Sequence, residues 1–272
     1  MDDASNDHTK EVVMNINDDR VKFIQHKKQK YASAARNSGI KEAKGTLIAF
    51  LDDDDEWLPT KLEKQVQLLL NLPKKVGMVY CWMDYYNQAG DIMMEVHPNL
   101  SGSIFKETLD KQPIGNSSTL LLRRVVIDDI GVFDELLPRG NDGDFIRRVC
   151  QTYEVDFVPE VLARVYVGHN DRISLWNSHS RNRVFEYIKR LEFYASDFDQ
   201  HPDKKLNILL NMSLDYILMG NVGKGLHCFW KAMRCRCRSW HKISAFFAFT
   251  KRFVRTFFPD AENARNRGKQ EV

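Results

Sequence analysis

No apolar run in the sequence approaches the roughly 18 residues that a membrane-spanning helix needs, so a transmembrane anchor is not expected. Nor does the chain open like a secretory leader. Met1-Asp2-Asp3-Ala4-Ser5-Asn6-Asp7 is acidic and polar, where a leader starts basic and turns apolar. Cysteine is sparse: five residues (Cys81, Cys150, Cys228, Cys235, Cys237) lie scattered along the chain. The Cys235-Arg236-Cys237 pair has neither the C-x-x-C spacing of redox sites nor the second half of a zinc site, so reduced, structural cysteines in a cytoplasmic protein are expected. Repeats at the periods of 20 to 50 residues that mark solenoids are absent. A Gly-rich, basic phosphate loop near the first strand, typical of a nucleotidyltransferase, is also missing. The last absence is of one charge sign: residues 216–259 contain no Asp or Glu.

What is present is ordinary for one α/β domain with a helical appendage: 272 residues, 43% hydrophobic, 28% charged, net charge +3. Residues 21–25 read as a short strand and 32–43 as a helix ended by Gly45. Thr46-Leu47-Ile48-Ala49-Phe50-Leu51 is an uninterrupted apolar run of strand length, as for a strand buried on both faces of a mostly parallel sheet. Pro59 suits the first turn of a helix along which Leu62, Val66, Leu69 and Leu70 recur at helical spacing. Strands are expected at 76–82 and 91–96, joined as a hairpin through Asn87-Gln88-Ala89-Gly90, and again at 118–122, 155–158 and 161–167. Helices are expected near 103–110, 125–130 and 144–151. Beyond about residue 174 the pattern stays helical. Alternating strands and helices point to an α/β sheet over residues 1–175 and a helical, basic region over 176–272.

The apolar run ends in Asp52-Asp53-Asp54-Asp55. Adjacent carboxylates repel, and a cation is the simplest compensation. Mg²⁺ or Mn²⁺ takes one or two carboxylates together with substrate phosphates. A solvated turn whose aspartates cap the next helix is the plainer reading of such a run. Its place at the end of a strand, where ligands of α/β sheets collect, favours the cation.

Ala35-Arg36-Asn37-Ser38-Gly39, Ala43-Lys44-Gly45 and Asp52-Asp53-Asp54-Asp55-Glu56-Trp57-Leu58-Pro59-Thr60-Lys61-Leu62, in this order and spacing, resemble the central signature of family-2 glycosyltransferases. The resemblance implies a GT-A, Rossmann-like fold and metal-dependent transfer of a sugar from a nucleoside-diphosphate sugar, a UDP-sugar for preference, to a glycan or lipid-linked acceptor in polysaccharide synthesis. It places the metal, Mn²⁺ or Mg²⁺, on Asp54, the donor's ribose on Asp52 or Asp53 and the donor also near Arg36, and it leaves structural roles to Asp55 and Trp57. Gly131-Val132-Phe133-Asp134-Glu135-Leu136 and Asn141-Asp142-Gly143-Asp144-Phe145-Ile146-Arg147-Arg148 resemble the family's later segments and imply that Asp142 is the general base of an inverting reaction. Without the resemblance, Asp142 reads equally as a helix N-cap. Residues 164–174 resemble the element that would set His169 toward metal or diphosphate and Arg164 or Arg172 toward phosphate. Asn116-Ser117-Ser118 corresponds to a stretch near the acceptor.

Residues 1–9 resemble the segment after the family's second strand, aligning Asp3 with a base-contacting aspartate. The family's first strand and first helix have no counterpart in these residues, so an abbreviated nucleotide site and weak activity are expected. A catalytically silent remnant serving as a scaffold is the competing reading. The nine cations of 216–259 interleave with Phe246, Phe247, Phe249, Phe253 and Phe257, which suits either peripheral contact with the inner face of a membrane or a helical pair with a solvated basic face. No nucleic-acid partner is expected.

Overall fold

The computed structural model describes residues 1–167 and 180–257, which form two compact units, Met1–Arg172 and Ile173–Val272. His169 and Arg172 lie outside the described residues.

The first unit contains helices α1 (Thr9–Met14), α2 (Tyr31–Glu42), α3 (Lys61–Asn71), α4 (Phe105–Thr108), α5 (Arg124–Ile130) and α6 (Asn141–Thr152). Its strands are β1 (Leu47–Ala49), β2 (Asp55–Trp57), β3 (Val76–Tyr86), β4 (Ile92–Val96), β5 (Leu121–Arg123) and β6 (Glu154–Tyr166), and a 3₁₀ turn occupies Ser117–Thr119. The strand order is β1-β5-β3-β6-β2, with β4 paired to β3. The α/β expectation holds, but the sheet is mixed rather than mostly parallel: β3 and β6 run parallel, and every other pairing is antiparallel. One cause is the tight Asn87–Asp91 turn, since so short a connection can only return the chain antiparallel.

Three local expectations change. The run at 46–51 makes only a three-residue strand at one end of the sheet, and Leu51 is exposed. Of residues 21–25 only Gln25 pairs, in an isolated bridge to Asp2. On α3 the buried stripe is Lys61, Gln65 and Leu69, while Leu62 and Leu70 are exposed. Polar heads occupy that stripe because each finds a partner: Lys61 Nζ donates to Gln65 Oε1 at 2.7 Å and lies 4.2 Å from the centre of the Trp57 ring. Gln65 Nε2 in turn donates to the Thr119 carbonyl at 2.8 Å.

The 155–158 and 161–167 expectations merge into β6, a single strand whose register against β3 shifts between Cys81 and Trp82 and again between Trp82 and Met83. Val158 pairs with Cys81 and Val161 with Trp82, so Pro159 and Glu160 have no partner on β3, as befits a proline inside a sheet. Below this point Val155 and Phe157 join the core of Met78, Tyr80, Phe50 and Phe145. Above it Ala163 and Val165 pack with Cys81, Met83 and Trp57.

The second unit is α7 (Ser180–Phe193), α8 (Ala195–Gln200), α9 (Pro202–Leu218), α10 (Val222–Met233) and α11 (Ser239–Phe257). Helix α9 is its axis, burying Leu206, Ile208, Leu210, Met212 and Leu214. Its Asp215, fully buried, accepts from Arg183 Nε at 2.9 Å. Gly225 lets α10 approach: a Cβ there would stand 2.6 Å from Ile217 and 3.0 Å from the Ser213 carbonyl.

Candidate active site

Residues 50–54 carry the chain from β1 to β2. Phe50 anchors the start of this segment, packing edge-on against Phe133 at 5.3 Å and Phe145 at 6.2 Å, themselves stacked at 4.3 Å. Because Phe145 belongs to α6, the contact brings the acidic turn beside that helix's first turn. Gly140 permits the sharp entry into α6 with φ of 73°, a conformation that costs other residues more. Asn141 Nδ2 donates to Ser33 Oγ of α2 at 3.0 Å, fixing the two helices at the level of the turn.

The result is a compact charged group. Arg36 of α2 donates from Nη2 to Asp52 Oδ1 at 2.5 Å and from Nη1 to Asp142 Oδ1 at 3.0 Å. Arg36 is 13% exposed, Asp142 18% and Asp52 29%. The guanidinium also lies over the Phe133 ring at 5.4 Å. Burial pushes the Asp142 carboxyl above the usual carboxylate range; Arg36 pulls the other way and Asp52 adds to the rise. Burial works against the charge of Arg36, but Asp142 and Asp52 outweigh it and hold the guanidinium protonated more firmly than usual.

The Ser117–Thr119 turn floors this group. Ser117 Oγ donates to both carboxylate oxygens of Asp52 at 3.3 and 3.4 Å, and its N–H reaches Asp142 Oδ2 at 3.4 Å. Ser118 Oγ accepts from the Asp52 N–H at 3.1 Å and donates to Asp55 Oδ2 at 2.6 Å, where Asn116 Nδ2 also donates at 2.9 Å. Trp57 Nε1 holds the Ser118 carbonyl at 2.7 Å. Burial pushes the Asp55 carboxyl up to about 6, against these hydrogen bonds, and Asp52 and Asp54 raise it further. Behind the turn, burial pulls the Lys61 ammonium down to about 8.

The residues singled out in sequence separate into groups. Arg36, Asp52 and Asp142 converge, and Asp53 and Asp54 come next on the same segment, Asp53 exposed and Asp54 half-buried. Asp3 stands at the N-terminal end of α2, where it accepts from the N–H groups of Lys30 (2.9 Å) and Tyr31 (2.6 Å) and pairs with His26 Nδ1 at 2.6 Å. Burial alone would raise its carboxyl, but those hydrogen bonds prevail and hold it below the usual range. These bonds support Tyr31 at φ of 71°, a strained position for a side chain of its size. Arg164 pairs with Glu56 at 3.3 Å on β2, one residue along from Asp55 and therefore on the other side of the strand. Asp55, expected to be structural, is held against the Ser117–Thr119 turn by its bonds to Ser118 and Asn116. Lys61 stands in the signature stretch without an assigned role and Gln65 lies beyond it; the signal of their burial is the i, i+4, i+8 stripe they form with Leu69.

Among the described residues no three or more His, Cys, Asp or Glu side chains form a group able to hold a metal by themselves. The donor set is carboxylate oxygen, which suits a hard divalent cation taking one or two protein ligands and completing its shell with phosphate and water.

The chain matches the model of Glycosyl transferase family 2 over residues 1–131. It is 30% identical over 222 residues to an uncharacterised glycosyltransferase of Rickettsia typhi, covering 80% of this chain and 67% of that one. A UDP-Glc:alpha-D-GlcNAc-diphosphoundecaprenol beta-1,3-glucosyltransferase of Escherichia coli is 44% identical over 69 residues, 25% of this chain and 27% of its own. The chain spans 60, 67 and 58% of the length of three archaeal and rickettsial relatives that it matches. Among solved structures, a mannosyltransferase from Pyrobaculum calidifontis in complex with GDP-Man and Mn²⁺ is similar with a TM-score of 0.55 at 15% identity, over 95% of this chain and 70% of that one. The last is a likeness of fold, and it sets the α/β architecture among the GT-A transferases. The chain belongs to glycosyltransferase family 2.

Proposed function

We propose that the protein moves a sugar from a nucleoside-diphosphate sugar, with uridine as the base, to a hydroxyl of a glycan or lipid-linked acceptor, with inversion. The observation that carries this reading is the single guanidinium joining Asp52 of the strand-end turn to Asp142 of α6, 90 residues later in sequence. In the reaction the acceptor oxygen bonds to the anomeric carbon from the face opposite the diphosphate. The bond from that carbon to the diphosphate breaks with its electron pair leaving on phosphate, and the hydroxyl proton passes to Asp142. Arg36 favours the ionised, proton-accepting form of Asp142, and burial makes that carboxylate a stronger base than one in water. Asp54 would hold Mn²⁺ or Mg²⁺, with Asp52 or Asp53 toward the donor's ribose; when bound, the cation neutralises charge on the departing diphosphate. The E. coli relative, named for a UDP-Glc donor and a diphosphoundecaprenol-linked acceptor, supports the base and the lipid-linked acceptor. The Pyrobaculum neighbour, bound to GDP-Man and Mn²⁺, supports the metal. The roles of Asp3, Arg164 and His169 toward the donor, and a cytoplasmic location, belong to the same proposal. No helix of the described residues is long and apolar enough to cross a membrane.

A second reading, a silent scaffold that keeps the site by ancestry, has one observation in its favour: Arg36 is ion-paired with both carboxylates, so each already has a partner within the protein. Donor turnover with and without Mn²⁺ separates the two. Asp142→Asn should keep donor affinity and lower turnover by about 10² or more, and Asp54→Asn should lose the metal-dependent part of donor binding. Unchanged turnover in Asp142→Asn, or donor binding by Asp54→Asn that still responds fully to metal, would remove that residue from the mechanism.

A further inference from the structure

The second unit carries a surface that sugar transfer does not use. On α11, Trp240, Ile243 and Phe247 recur at i, i+3, i+7 and are 57 to 66% exposed, with Phe246 beside them at 42%. On α10, Leu226 and Trp230 recur at i, i+4 and are 49 and 61% exposed. Phe229 connects the two helices, its ring lying 5.9 Å from Trp230, 6.4 Å from Phe246 and 5.8 Å from Phe249. Single exposed apolar residues need no explanation, but a joined set of this size marks a binding surface. Lys231, Arg234, Arg236, Arg238 and Lys251 are all exposed within the same two helices and their connection. No carboxylate occurs anywhere between Asp215 and Asp260 to neutralise them.

We infer that this face docks on an anionic lipid bilayer, with the aromatic and aliphatic side chains entering the headgroup boundary and the cations lying over the lipid phosphates. Three features select this occupant. A second copy of the chain would bring the same uncompensated cations against themselves. A nucleic acid would satisfy the cations, but Leu226 and Ile243 have no base-stacking use. An interfacial helix requires aromatic and aliphatic residues on one face and cations alongside, with too little apolar length to span, and α11 has these properties. The inference does not depend on catalysis and stands or falls separately from it.

Cosedimentation of the intact chain with phosphatidylcholine vesicles, with and without phosphatidylglycerol, tests the surface. Partitioning should be at least about tenfold stronger on the anionic vesicles and should weaken strongly in high salt. The triple variant Arg234→Glu, Arg236→Glu, Arg238→Glu should lose about a hundredfold or more, given roughly a sixfold loss per surface cation. Trp230→Ser with Phe247→Ser should bind anionic vesicles about tenfold more weakly while keeping the wild-type melting temperature. Quenching of tryptophan fluorescence by brominated lipid in the unaltered protein gives a readout that needs no variant. Absence of vesicle binding at low salt, equal binding to neutral vesicles, or absence of quenching overturns the inference. Salt-dependent retention on DNA or concentration-dependent dimerisation without vesicle binding overturns it in favour of those partners.

Discussion

Arg36 and Asp142, 106 residues apart in sequence, form an ion pair of 3.0 Å whose side chains are 13 and 18% exposed. Breaking it strands a carboxylate that is already poorly hydrated. We expect Arg36→Met to destabilise the protein by roughly 2 to 3 kcal/mol, at or just under the lower end of what removing one partner of a buried pair costs, since neither partner is wholly buried. Adding Asp142→Asn to that variant should restore part of the loss. Urea midpoints for the two single variants and the double form the cycle, and strict additivity would mean that the pair is not coupled.

The same carboxylate sets a pH dependence. Burial raises Asp142, so under the proposed mechanism its proton-accepting form, and turnover with it, is lost as pH falls through a value above the ordinary carboxylate range. The acidic limb of kcat should therefore lie higher than for an exposed aspartate and should vanish in Asp142→Asn. An acidic limb that persists unchanged in that variant would assign it to another group.

Asp55 gives a separate stability signature. Its folded value is raised from 3.8 to about 6, so between those values the native state holds a proton that the unfolded chain has released, and stability falls as pH rises through the window. Asn is a close substitute because its side-chain oxygen can accept from both Ser118 and Asn116. Asp55→Asn should match the wild type below about pH 4 and exceed it in urea midpoint near neutrality, when no divalent cation is present. A difference independent of pH would contradict this account.

Lys61 has the opposite sign. Burial lowers its folded value from 10.5 to about 8, so the unfolded chain binds the extra proton and stability rises with pH between the two values. The full change is on the order of 3 kcal/mol at 1.36 kcal/mol per unit. Lys61→Met removes the titrating group, so its stability relative to wild type should decline over that window. A flat difference between the two proteins would exclude a buried, titrating Lys61.

Much of the fold was legible because its signals are local. The α2 and α6 helices, the β3–β4 hairpin and the acidic turn after β1 arise from periodicity, turn residues and a strand ending in charge. Arg36, Asp52 and Asp142 were named from motif resemblance, but no spacing along the chain reveals that one guanidinium joins the two carboxylates. That depends on Phe50 meeting Phe145 across 95 residues of chain. The α3 face was misread because hydrophobicity alone selects Leu62 and Leu70 over Lys61 and Gln65. What decides the face is whether a polar head finds partners inside, and those partners, Thr119 and Trp57, belong to other elements. Asp55 was read as structural, but its partners Asn116 and Ser118 lie 61 and 63 residues further along the chain, and its burial could not be read from the acidic run.

Three residues of β6 have no partner on β3, Pro159 and Glu160 before Val161 and Leu162 after it. From Val158 to Ala163 this strand advances five residues while β3 advances two, from Cys81 to Met83. The excess of three is odd, and in a strand an odd excess exchanges the faces. Val155 and Phe157 serve one core, whereas Ala163 and Val165, equally odd in number, serve the other. The protein thereby uses one continuous strand as a parity switch. The side of the sheet reached by Arg164, and with it the Glu56 partnership, is set by how many residues bridge the irregularity rather than by which ones. Gaining or losing one residue there would turn Arg164 toward the core side now held by Ala163, a far larger change than any substitution at the same place.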